Sequence, residues 1–183
     1  TQGRCFWILD ELGPLRQLDA GVDTSDVHLF EPSVAYRRDH IGRGGDGLEG
    51  APEGVVLDYA VAGEADGPMT LTVEDSAGAV IRTFRSGEAA EEAAPGTVDD
   101  TLSTGAGHHR VTWDLSYPGA TEKPDDVVLW GYTGGFRAPP GTYRARLVAG
   151  DDTLTRSFDV EVYPGLQDVT ADDLRAQFEF ART

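Results

Sequence analysis

Residues 141–162 read GTYRARLVAGDDTLTRSFDVEV, and their alternation decides the fold class. Tyr143, Ala145 and Leu147 alternate with Thr142, Arg144 and Arg146, and Phe158, Val160 and Val162 alternate with Ser157, Asp159 and Glu161. A period of two sends successive side chains to opposite faces of a strand. Apolar inward and polar outward is the pattern of an antiparallel sheet with one solvated face. Asp151-Asp152, after Gly150, predicts a hairpin turn between the two runs.

The same alternation recurs upstream. Val55, Leu57, Tyr59 and Val61 share one face, as do Leu71 and Val73, and as do Val111, Trp113 and Leu115. Asp75-Ser76-Ala77-Gly78 is a turn, and Val80 to Phe84 is the returning strand. Residues 27–36 read as one extended stretch, held to an edge or a bulge by Pro32. The strands expected are near 27–36, 55–61, 70–74, 80–84, 109–115, 142–148 and 153–162. This predicts a mostly β fold: an Ig-like or fibronectin-III-like antiparallel β-sandwich of about seven strands. The 23 glycines and 10 prolines favour many short strands over long helices. One short helix is expected at the C-terminus. Thr170 is placed as its N-cap, Asp172 and Asp173 lie in its first turn, Val169 and Leu174 form a staple, and Leu174 and Phe178 share a face. Gly13-Pro14 reads as a break, residues 15–25 as a linker or loose turn, and the Gly-rich residues 41–54 as a flexible connection. Residues 88–107 are low in complexity and are expected to be a mobile loop.

Charge narrows the partners. The formal net charge is −17, and 14 of the 15 basic residues are arginine, with Lys123 the only lysine and no asparagine anywhere. So acidic a chain repels phosphate backbones, so nucleic acid is not an expected partner. No run approaches the roughly 20 apolar residues of a spanning helix, so no membrane insertion is expected. Cys5 stands alone, which excludes a disulfide within the chain. The first residues carry neither an initiator methionine nor the apolar region of a signal peptide, and the expectation is a piece of a larger protein.

Two stretches carry a resemblance. Residues 74–84 (EDSAGAVIRTF), 107–114 (GHHRVTWD) and 138–143 (APPGTY) fit a D-x-x-G-x-V-I-R hairpin, a G-x-x-x-x-x-W-D strand and a P-x-G-x-Y corner. They resemble the Ig-like modules of the flagellar hook-capping protein and of many bacterial secreted proteins. Residues 1–18 (TQGRCFWILDELGPLRQL) look like the closing strand of a BNR-repeat, sortilin-like β-propeller, a family often labelled glycosyl hydrolase-like, with Cys5 where the family has glycine. The resemblance implies a segment that follows a propeller in an extracellular or periplasmic protein. It implies residues 1–25 as the propeller's closing strand and linker, 26–165 as the sandwich and 166–183 as the helix. The pattern also has a physical reading. Gly78 supplies positive φ in the turn, Trp113 anchors the core, and Tyr143 is placed like a tyrosine-corner residue whose hydroxyl bonds back to nearby backbone.

No chemical motif stands up. Residues 42–47 fit G-x-G-x-x-G, but Leu48-Glu49-Gly50-Ala51-Pro52 cannot open the helix that a dinucleotide site needs. His28, His40, His108 and His109 lack zincin spacing, and His108 and His109 point to opposite faces of a strand. The pairs Asp99-Asp100, Asp125-Asp126, Asp151-Asp152 and Asp172-Asp173 do not match an EF-hand, and nothing places two carboxylates across a cleft. Neither a G-x-S-x-G elbow nor a P-loop is present. No catalytic residue, cofactor or metal site is therefore expected.

The long connection from Ser116 to Pro140 carries Trp130, Tyr132 and Phe136 among glycines. These aromatics cover the core, dock a neighbouring domain or contact a ligand such as an oligosaccharide. The expected function is a non-catalytic structural or interaction module that packs on its own propeller. Phe6, Trp7, Trp130, Tyr132 and Phe136 are the candidate contact residues. A carbohydrate-binding accessory role is the alternative. In the isolated chain, homodimerisation or strand exchange through residues 1–10 is expected, because a propeller strand without its blade leaves apolar surface uncovered.

Overall fold

The computed structural model of the chain describes residues 11–38, 53–65, 67–87, 101–119 and 135–182. In order they form α1 (Gly13–Asp19), β1 (Val27–Leu29), β2 (Ala35–Arg37), β3 (Val55–Val61), β4 (Met69–Glu74), β5 (Val80–Arg85), β6 (Gly107–Trp113), β7 (Gly141–Ala149), β8 (Asp152–Val162) and α2 (Ala171–Ala181). The strands make two sheets, β1-β3-β6 and β2-β8-β7-β4-β5. The result is a mostly β, sandwich-like architecture with two helices among the described residues.

The alternation places the core where the sequence puts it. Val55, Leu57, Tyr59, Val61, Val111 and Trp113 from the three-stranded sheet meet Leu71, Val73, Phe84, Tyr143, Ala145, Leu147, Phe158 and Val160 from the five-stranded one in a single cluster. Trp113 lies edge-on to Tyr143 and Phe158, with ring centroids 5.3 and 6.3 Å away. Its Nε1 donates to the Ser116 carbonyl at 2.9 Å, which satisfies the one polar group this anchor brings inside. The Tyr143 hydroxyl donates to the Pro139 carbonyl at 2.6 Å, and burial pushes its pKa above the ordinary value. Gly150 (φ 56°) occupies the first central position of the two-residue β7–β8 turn, as a type II′ turn requires. In the β4–β5 turn Gly78 has φ 85°, and the Asp75 carboxylate accepts from the Ala77 and Ala79 amides.

Several expectations need correction. Residues 27–36 are not one strand. β1 is the edge of one sheet and β2 the edge of the other, so the described residues hold eight strands where about seven were expected. The Phe30 amide still donates to the Asp58 carbonyl, but Pro32 has no N–H to continue the ladder, and the chain crosses between sheets there. β2 then pairs in parallel with β8, so the sheets are not purely antiparallel. Residues 13–19 are helical rather than a break and a linker. Pro14 sits in the first turn, where a missing N–H costs nothing. The described end of the supposed mobile loop is also tied down. Leu102 is buried, its amide donates to the Arg85 carbonyl, and the Tyr59 hydroxyl bridges the Ser103 amide and carbonyl. The C-terminal helix follows its signals. Thr170 and Asp173 form a reciprocal capping box, and Phe178 packs on Tyr117 at 4.7 Å.

Candidate functional site

The outer face of the three-stranded sheet holds an unexpected polar cluster. On β3 the inward set is Val55, Leu57, Tyr59 and Val61, so Asp58 points outward. Register places Arg110 of β6 directly opposite it and His108, opposite Ala60, two positions along on the same face. Arg110 clamps the carboxylate in bidentate fashion, Nε to Oδ1 at 2.9 Å and Nη2 to Oδ2 at 3.2 Å. His108 Nε2 lies 3.1 Å from Oδ1. The Asp58 side chain is only 4% exposed although it faces away from the core, against 36% for Arg110. Phe30 packs its ring against His28 and His108, with centroids 4.8 and 5.8 Å away. Removing a carboxylate from water costs several kcal/mol, and the fork of two charge-assisted bonds offsets it.

His28 completes the cluster from β1. It is buried, and its Nε2 has no hydrogen-bond partner among the described residues. Burial, and then repulsion from Arg156, lowers its pKa below the ordinary histidine value. An aspartate that orients an imidazole is also part of a nucleophilic triad. Among the described residues the partners of this cluster are Arg110 and His108 on the Asp58 carboxylate, and no hydroxyl or thiol hydrogen-bonds to His108.

Beside the cluster lies a cleft of about 400 Å³, lined among others by Arg16 of α1, Val34 and Tyr36, Arg38, Val56 and Arg110. Helix α1 is fixed over it by a paired contact: Gln17 Nε2 donates to the Glu31 carbonyl at 3.0 Å, and the Glu31 amide donates to Gln17 Oε1 at 2.9 Å. At its rim Glu11 Oε1 accepts from the Gly13 amide and the Ser33 hydroxyl. A separate depression near the β7–β8 turn gathers Asp26, Glu64, Asp151 and Asp152, but no group of three acidic, histidine or cysteine residues among the described residues is arranged to hold a metal ion.

Of the residues singled out from sequence, Phe6, Trp7, Trp130 and Tyr132 lie outside the described residues. Phe136 is exposed, on the returning arm of the long connection. Both ends of that connection are paired: Tyr117 donates to the Phe136 carbonyl, Ala138 donates to the Leu115 carbonyl, and Ser116 bridges Arg137. Leu115, buried at its base, holds a left-handed φ of 66°, a strained choice for a leucine. On α1 and its N-cap, Leu12, Leu15 and Leu18 are 40%, 54% and 43% exposed. At three-residue spacing they form one apolar sector.

Sequence reasoning did not gather Asp58, Arg110 and His28, nor the arginines of the cleft. One signal was present: an aspartate amid VVLDYAV, an otherwise apolar strand. Its partner depends on register with a strand some fifty residues away, which alternation alone does not fix. No protein-family model matches the chain, and comparison with curated proteins and with solved structures gives no match.

Proposed function

We propose that this chain is a non-catalytic structural and interaction module: an Ig-like sandwich of a larger exported protein that packs on, and orients, a neighbouring β-propeller. The Tyr143–Pro139 bond supports the Ig-like part, because a tyrosine early in its strand bonding back a few residues is a habit of such domains. The division into three and five strands departs from the four and three of an Ig constant domain. The observation that carries the docking is the leucine sector of α1. It is built on the first described element after Phe6 and Trp7, and three half-open leucines on a seven-residue helix and its N-cap suit a surface that is covered by a partner.

Static light scattering tests this reading. The wild-type chain is expected to self-associate through its uncovered N-terminal apolar surface, and Leu15→Glu/Leu18→Glu to remain monomeric with unchanged circular dichroism. A wild-type monomer at all soluble concentrations, with no dye binding to exposed apolar surface, overturns it.

A further inference from the structure

We propose that the cleft under α1 is a binding site for a small hydroxylated carboxylate, gripped by Arg16 and Arg38 over a floor formed by Arg110 and Val56. Three arginines line this one cleft in a molecule whose net charge is −17. General solubility does not require cations there, and at long range the molecule repels anions, so their effect is local. Their charges are not equally engaged. Arg110 is paired with Asp58. Among the described residues the Arg16 side chain has no hydrogen bond or ion pair, and the Arg38 side chain has only the face of the Tyr163 ring, 5.2 Å from its guanidinium carbon, while its backbone carbonyl accepts from Arg37 and Arg137. Stacking of that kind fixes the plane of a guanidinium and leaves its N–H edge for an acceptor. The carboxylate within reach, Glu11, is held by the Gly13 amide and the Ser33 hydroxyl.

The shape of the lining selects the ligand. A guanidinium fork matches a planar carboxylate in two parallel bonds. The volume of about 400 Å³ suits a body of sugar size. Tyr36, Ser33 and Glu11 are polar lining residues of a kind that suits its hydroxyls, and Val34 and Val56 are apolar ones that suit its ring edge. Of the leucine sector only Leu12 lines the cleft, while Leu15 and Leu18, whose substitution tests the docking reading, do not, so the two readings are tested by different variants.

The test is amide and arginine Nε chemical-shift mapping of the whole 183-residue chain. The titrants are a hexuronate, the corresponding neutral hexose and sodium chloride. The hexuronate is expected to shift the signals of Gly13, Gly54 and Val56 and of the arginine side chains saturably, and the hexose and chloride to leave them in place. Arg16→Gln and Arg38→Gln are each expected to weaken binding about tenfold, the worth of one charge-assisted bond, with the fold checked by unchanged shifts in β7 and β8. No shift with the hexuronate, equal shifts with the hexose or chloride, or undiminished affinity in the double variant overturns the site.

Discussion

Breaking the Asp58–Arg110 pair from its two ends should have unequal costs, and the structure says which is larger. Arg110→Ala leaves the carboxylate sealed at 4% exposure with His108 as its remaining side-chain partner. An uncompensated buried charge of this kind costs about 3 kcal/mol or more. Asp58→Asn keeps the shape and leaves Arg110, at 36% exposure, able to recover water, so the loss is about 1–2 kcal/mol. In the double variant the buried charge is gone, so it should be more stable than Arg110→Ala alone, which requires a coupling larger than the Asp58→Asn loss, about 2–3 kcal/mol. Urea unfolding followed by tryptophan fluorescence reads all four proteins, and an unchanged m-value keeps the comparison within the two-state description. Asp58→Asn as damaging as Arg110→Ala, or a double variant equal to the sum of the singles, would refute the sealed-carboxylate argument.

Two further outcomes follow from single side chains. Tyr143→Phe removes the bond to the Pro139 carbonyl and is expected to cost about 1–2 kcal/mol by urea unfolding, with no change of fold; an unchanged midpoint would deny the corner its role. His28 has a pKa lowered in the folded chain, so in acid the unfolded state binds the extra proton. Its contribution to stability is present above about pH 6.5 and is lost as the pH falls below that value. His28→Leu should therefore flatten the loss of stability between about pH 7.5 and pH 5, and an identical pH slope in wild type and variant would contradict this.

How far the sequence carried the fold is clearest in particular strands. β7 and β8 were legible residue by residue, because a solvated outer face leaves a clean period of two and Gly150 marks the turn. The cap at Thr170 was legible because its chemistry is local. The crossing at Pro32 was half legible: the proline announced a break, but the parallel partner of β2 is more than a hundred residues away, and no local pattern encodes it. α1 escaped because Gly13-Pro14 serves a helix start as readily as a turn. The candidate site escaped for a related reason. Asp58, Arg110, Arg16 and Arg38 come from separate elements, and only register and docking bring them together.

The central claim is that α1 offers its leucines to a neighbouring domain, and hydrogen exchange reads that contact most directly. The comparison is between the 183-residue chain alone and the chain joined at its N-terminus to a β-propeller of the kind the proposed function calls for, with the amides of Leu15, Arg16, Gln17 and Leu18 observed in each. The account predicts strong slowing of exchange at these amides in the joined protein, with β7 and β8 unchanged. Equal exchange at α1 in the two proteins would contradict it.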